Sequence, residues 1–254
     1  MVPEEESHAV LNAGFQCAMG MLMWAVRRVH EACRVGVSKL CRVMAKPSWR
    51  AFYAAMHMIK WIHEHRTQGI MFTQGVNLIP LVLVDASNKP DIYDMHCQYA
   101  YVIMMMGGPV SAISKKCRHM GLSSEHNEYM ALAFAMQALV WLRQLFEELG
   151  MWHLIADPTI VLEDNKPAIL LSQEDMVSPG NQYIQLAYHY SKEVQEEGYA
   201  DVQYVNTLQN IADMGTKCNG TKEFKALIGP LTGYDTALIE ELSLKHYGKK
   251  GSGQ

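Results

Sequence analysis

The chain has 254 residues, 49% hydrophobic and 19% charged, enough to bury a core as one large domain or two smaller ones. The acidic start MVPEEE and the lack of an apolar run of roughly 18 residues argue against a signal peptide or membrane span, so an intracellular location, cytoplasm or nucleus, is expected, with no membrane partner. The formal net charge of −4 hides an asymmetry: residues 21–70 hold nine Lys or Arg against Glu31 and Glu64, a local +7 that leaves −11 for the remainder. A basic helical segment beside an acidic domain suits a nucleic-acid partner, because neutralising phosphates supplies most nonspecific affinity. Six cysteines, Cys17, Cys33, Cys41, Cys97, Cys117 and Cys218, show no Cys-x-x-Cys spacing and read as reduced, mostly buried thiols. His63 and His65 flank Glu64 on different helical faces, which excludes zinc there.

In chain order, residues 8–66 read as two or three helices, the last starting after Pro47 and Ser48, with 69–77 a linker or first strand. The continuous apolar run Leu78–Val84 predicts a strand over 79–85, buried on both faces in the middle of a sheet and ending in Asp85. After an irregular stretch, Tyr99–Met106 and Val110–Ser114 flank Gly107 and Gly108, the pattern of a hairpin. Helical spacing of Leu132, Ala135, Met136 and Leu139 predicts an amphipathic helix over 124–149, capped by Ser123 or Ser124 and stopped by Gly150, with Glu128 near its start. A strand at 159–163 leads to Asp164, with Pro167 marking the exit turn. A helix near 182–197, a strand at 201–205 and a closing helix follow; Thr207 or Asn210 would cap the last, with Asp213 just inside it. No internal repeat is present, and KHYGKKGSGQ at the end reads as a disordered tail.

Each of the four acids is ordinary by itself, since Asp is common after strands and an acid in a helix's first turn answers the dipole. Together they carry more, because neighbouring parallel strands that each end in Asp set two carboxylates side by side at the sheet's C-terminal edge, where open α/β sheets place their sites. Crowded anionic oxygens repel unless cations neutralise them. Mg2+ takes such oxygen ligands, and two ions about 4 Å apart can activate a water and stabilise the leaving oxygen of a phosphodiester.

The sequence then resembles a known family. VDAS at 84–87, LSSEHNEYMAL at 122–132, EDN at 163–165 and YVNTLQNIADMGTK at 204–217 resemble the ribonuclease H domain of copia-type retrotransposon polyproteins. SKK at 114–116, WLRQLFEELG at 141–150 and YHYSKEV at 188–194 are similar to it in the same order. Upstream, GMLMWAVRRVHEA at 20–32 and WRAFYAAMHMIKWIHEHRTQGIMF at 49–72 resemble the helical connection between polymerase and ribonuclease H, so the likeness runs from about Met19 to Lys217. A polymerase is not expected, because no Tyr-x-Asp-Asp is present.

The resemblance implies an α/β, ribonuclease H-like fold, a mixed five-stranded sheet flanked by helices, preceded by a small helical segment. The expected division is a connection-like segment at 1–75, the ribonuclease H-like domain at 76–220 and a C-terminal extension at 221–254. Asp85, Glu128, Asp164 and Asp213 fall on the family's four metal-binding acids, implying a catalytic site for two Mg2+ ions, with Mn2+ as a substitute. Candidate nucleic-acid contacts are Ser87, Lys115, Lys116, Arg118, Ser124 and Asn165, with Arg27 and Arg28 in the basic segment. The implied activity is endonucleolytic hydrolysis of the RNA strand of RNA:DNA hybrids. The implied partners are such a hybrid or another nucleic acid, and the reverse transcriptase part of a polyprotein or a larger assembly. Ser87 and Asn88 stand where the family carries an acidic pair and a Trp, and MHCQYAY at 95–101 and GNQYIQ at 180–185 stand where it carries basic stretches. These departures keep a second reading open: a decayed or domesticated protein of the same fold that binds nucleic acid or serves as a structural subunit.

Overall fold

Leu81–Ala86 (β1) forms the centre of a sheet and is buried at every position. The computed structural model describes residues 2–76, 78–87, 96–117, 124–173, 182–218 and 220–248. Gln98–Met105 (β2) pairs antiparallel with β1, and Gly108–Lys116 (β3) antiparallel with β2. Thr159–Glu163 (β4) lies parallel to β1 on its other side, and Ala200–Tyr204 (β5) parallel to β4, giving the order β3-β2-β1-β4-β5. This is the mixed five-stranded sheet flanked by helices that the sequence implied.

The chain divides into two compact units, Met1–Ile70 and Met71–Gln254. In the first, Glu4–Asn12 (α1), Phe15–Arg28 (α2), Arg34–Cys41 (α3) and Trp49–Glu64 (α4) bury Val10, Phe15, Met19, Leu22, Val26, Val37 and Ala55 among them. Among the described residues the α-helices number four, more than the two or three expected, because Gly14 (φ 90°) breaks the first run into α1 and α2. α4 starts after Pro47 and Ser48 as expected, and the Ser48 hydroxyl caps it, accepting the N–H of Ala51 at 3.3 Å.

In the second unit, Ser124–Glu148 (α5) lays Ala131, Leu132, Ala135, Met136 and Leu139 against Val82, Val84 and Ala86 of β1, all 0–1% exposed. Each large apolar side chain so buried contributes about 1.5–3 kcal/mol. Asn127–Glu148 is long and apolar enough to cross a membrane by length and composition, which corrects the expectation of no such run; half of it is buried in this unit. Further along α5, the Arg143 guanidinium donates to the carbonyls of Ile155 (2.8 Å) and Asp157 (3.0 Å) and to Thr159 Oγ1 (3.1 Å), fixing the entry to β4.

Several elements differ from expectation. Pro167 does not end an exit turn: Lys166–Gln173 (α6) starts there, and proline in a helix's first turn forfeits no hydrogen bond. After Gln182–Glu196 (α7) and β5, the closing helix is two short 3-10 turns, Thr207–Gln209 and Ile211–Gly215, the second capped by Asn210 and neither by Thr207. Thr221–Thr232 (α8) and Ala237–Tyr247 (α9) follow, so Lys245–Tyr247 are helical where a disordered tail was expected. Tyr247 holds α9 down, its hydroxyl donating to Pro80 O (2.5 Å) and accepting the N–H of Ile160 (2.9 Å). Of the cysteines only Cys97 and Cys117 are buried; Cys17 and Cys218 are exposed, and all six are free.

The β2–β3 hairpin turns on Met106 and Gly107 (φ 49° and 75°), not on the two glycines, because a two-residue loop with both φ positive matches the twist of the strands. Gly108 already belongs to β3, and a Cβ there would lie 2.4 Å from Met71 O. Met106 thus holds a conformation costing about 1–2 kcal/mol for a residue with a Cβ. Met106→Asn, which tolerates it, is expected to raise stability by about 0.5–1 kcal/mol in urea unfolding; a lowered midpoint would show that the methionine side chain earns its place by packing.

Candidate active site

The parallel register pairs Leu83 with Leu162, so two residues further on Asp85 comes level with Asp164, just beyond the end of β4. Glu128 lies near the start of α5, which packs on β1, and its carboxylate accepts the N–H of Ala86. One oxygen each of Asp85, Glu128 and Asp164 lies within 4.8 Å of the others. Asp85 and Glu128 are 1% and 2% exposed, Asp164 is half-buried, and Glu128 Oε2 is buried without a hydrogen-bond partner among the described residues.

Asp213 arrives from the 3-10 turn at Ile211–Gly215, which is fastened to β1. Asn210 Nδ2 donates to Val84 O at 2.7 Å, while its Oδ1 accepts the N–H of Ala212 at 3.2 Å. Gly215 lets the turn approach β2, since a Cβ there would sit 2.4 Å from that of Ala100. The turn brings two further residues to the acids. Thr216 Oγ1 donates to Asp85 Oδ2, and the Lys217 ammonium hydrogen-bonds Asp213 Oδ1 and lies 3.8 Å from Asp85 Oδ1.

A fifth acid, Glu163, ends β4 fully buried; its Oε1 accepts the N–H groups of Asp164 (3.0 Å) and Asn165 (3.1 Å), and its Oε2 has no partner. Sequence reasoning passed over Glu163, Thr216 and Lys217. The only signals were the adjacency of Glu163 to Asp164 and the four-residue step from Asp213 to Lys217, which puts the lysine one turn on.

Other candidates divide. Lys115 and Lys116 are exposed at the end of β3, and Lys115 pairs with Tyr99, which pairs with Ala86. They sit at the acids' end of the sheet, two strands away, roughly 10 Å. Ser87 is buried, and Asn165 caps α6, its Oδ1 accepting the N–H of Ala168 at 3.2 Å. Arg118, Asn88 and Ser123 lie outside the described residues, as does the side chain of Ser124. Arg27 and Arg28 are exposed at the end of α2 in the other unit.

Crowding shows in the protonation of the acids. Burial, opposed by Lys217 and Thr216 and reinforced by Asp213 and Asp164, pushes Asp85 up to about 7. Burial and the charges of Asp85 and Asp164 push Glu128 up to about 9. Burial and then the Glu128 charge hold Glu163 well above the usual carboxylate range. Partial burial pulls Lys217 down, but Asp85 and the bond to Asp213 outweigh it and leave it above its ordinary value.

No family model matches the chain. It is 28% identical over 234 residues to the retrovirus-related Pol polyprotein from transposon TNT 1-94 of Nicotiana tabacum, covering 89% of this chain and 17% of that protein. It is 32% identical over 133 residues to the secreted RxLR effector protein 161 of Plasmopara viticola, covering 52% of this chain and 92% of that protein. Among solved structures, the N-terminal RNase H domain of a Mycobacterium tuberculosis protein shares 13% identity with a TM-score of 0.40, covering 61% and 96% of the two chains. A buried acid cluster at the C-terminal edge of a mixed five-stranded sheet is a ribonuclease H-like arrangement. Within that class, the chain has homologues that include retrovirus-related Pol polyproteins of plant transposons, a likeness consistent with a copia-type ribonuclease H region. It spans 17% of the length of the tobacco polyprotein.

An acid whose folded pKa is raised stabilises the fold fully below its unfolded value, and that contribution is lost as pH climbs through the folded value. With a chelator present, the urea midpoint is therefore expected to fall as pH rises from about 5, through about 7 for Asp85 and about 9 for Glu128. Glu128→Gln should flatten the upper part of that decline. A midpoint constant from pH 5 to 9 in the unsubstituted chain would contradict the crowding.

Proposed function

We propose that this chain is a metal-dependent nuclease of ribonuclease H type that cleaves the RNA strand of RNA:DNA hybrids endonucleolytically. The observation that carries the reading is the convergence of Asp85, Glu128 and Asp164 within 4.8 Å, with Glu128 Oε2 buried and unpartnered. All-oxygen and anionic, this donor set fits a hard divalent cation such as Mg2+, with Mn2+ as a substitute. Asp85, Glu128 and Asp164 would hold one ion, and Asp85 with Asp213 a second. When bound, such a pair activates a water and stabilises the leaving oxygen of a phosphodiester.

The remaining residues orient these ligands. Thr216 ties down Oδ2 of Asp85, the Ala86 N–H fixes Glu128, and Glu163 braces the turn that carries Asp164. Exposed Lys115 and Lys116 would meet substrate phosphates, and exposed Arg27 and Arg28 would bind nucleic-acid backbone. Arg34, in the same basic segment, is spent within the fold instead, because its guanidinium is engaged by buried Glu31 and donates to Val26 O at 3.0 Å.

One observation favours the second reading, a non-catalytic nucleic-acid-binding or structural protein. In the 95–101 stretch, Gln98 is 2% exposed and donates to Ser114 Oγ at 2.7 Å, so it is spent inside the sheet.

Cleavage of a labelled hybrid with Mg2+, blocked by chelator, separates the two. Asp164→Asn removes one anionic ligand at constant size and should lower turnover at least about a hundredfold, while hybrid binding survives or strengthens. If the unsubstituted chain and the variant both fail to cleave in Mg2+ and Mn2+ yet bind hybrid equally, the nuclease reading falls. For the basic segment, neutralising Arg27 and Arg28 together should lower the slope of log affinity against log salt by about 1–2. An unchanged slope would reduce both to solvated side chains.

A further inference from the structure

Lys217 puts a permanent positive charge inside the acid cluster. Its ammonium hydrogen-bonds Asp213 Oδ1 and stands 3.8 Å from Asp85 Oδ1, between the two carboxylates that would share a second divalent ion. The other Asp85 oxygen is occupied by the Thr216 hydroxyl, delivered by the same turn one residue earlier. Asp85, Glu128 and Asp164, by contrast, converge with a Glu128 oxygen unpartnered. Among the described residues the two halves of the cluster therefore differ: no ammonium or guanidinium is bonded to Glu128 or Asp164, whereas Lys217 stands between Asp85 and Asp213.

Resting on the nuclease reading, we propose that Lys217 is a built-in competitor for the second metal position, so that a divalent ion enters first among Asp85, Glu128 and Asp164 and a second enters only by displacing the lysine. The lysine can move, since its side chain is 43% exposed and hangs from the end of a short turn, whereas Asp85 is fixed in β1, paired with Ala100 of β2. Asp85 and Asp213 would otherwise repel each other whenever the second ion is absent, and the ammonium supplies the missing counter-charge. Lys217 is in this sense a positioning residue, keeping Asp213 facing Asp85 until metal arrives.

The test counts ions without nucleic acid or turnover. Mn2+ alone is titrated into the full chain, with bound ions followed by electron paramagnetic resonance and calorimetry, for the unsubstituted protein, Lys217→Gln and Lys217→Arg. The unsubstituted chain should bind one ion well and a second more weakly; Lys217→Gln should tighten the second about tenfold or more and the first much less. Lys217→Arg, which keeps the charge, should behave as the unsubstituted chain. Equal tightening of both ions would reduce the lysine to a general field and overturn the proposal, as would a second-ion affinity within about twofold of the unsubstituted value, the nuclease reading standing in either case. If neither the unsubstituted chain nor Lys217→Gln binds an ion, the proposal and the nuclease reading fall together.

Discussion

Like charges brought together out of water repel strongly, and this protein brings them together deliberately at one end of two parallel strands. Asp85 and Asp164 come level because β1 and β4 run in register; Glu128 comes down on them from α5, and Glu163 lies buried beneath. The rest of the second unit can be understood as what makes that congestion tolerable. Protons on Asp85 and Glu128 relieve part of it, and Lys217 another part. Carboxylates crowded in this way form a group that could hold a cation, because a positive charge there would offset their mutual repulsion.

Tolerating the congestion requires a rigid frame, and the frame is largely backbone. Asn210 clamps the Asp213 turn to the carbonyl of Val84, Gly215 permits the close approach to Ala100, and Ser114 accepts from Gln98 while donating to Gly215 O at 2.5 Å. The turn is consequently sewn to both β1 and β2. None of these residues bears charge. They decide where the charged ones point.

How much of this was legible in the sequence depended on range. β4 was readable to the residue, and β1 and α5 nearly so, because an apolar run or a helical stripe is a local signal backed by burial. The four acids were legible through their places at element ends and through the family resemblance. Glu163, Thr216 and Lys217 were not, since their significance comes from contacts with residues up to 131 positions away. α6 was hidden by Pro167, whose role at a helix start looks in sequence like a turn, and the 3-10 form of the Asp213 turn follows from its tether to β1 and not from propensity. The hairpin misled by one residue: Gly108 resembles a turn glycine but is required by the carbonyl of Met71.

α5 deserves a last consideration as a measuring rod. Glu128 stands at one end of its buried stretch and Arg143, which grips the residues entering β4, stands fifteen residues along, about 22 Å. The strand it spans is five residues long, about 13 Å from first Cα to last. The same rod thus gauges both where β4 begins and where the acid at its far end must stop. Sliding the strand by one residue would shift Asp164 by about 3.3 Å, comparable to the spacing within the cluster, and would tear Thr159 from the guanidinium. Alignment of the acids is therefore set partly at the opposite edge of the sheet, and a lesion at Arg143, far from the acids, would blur the site by loosening its ruler.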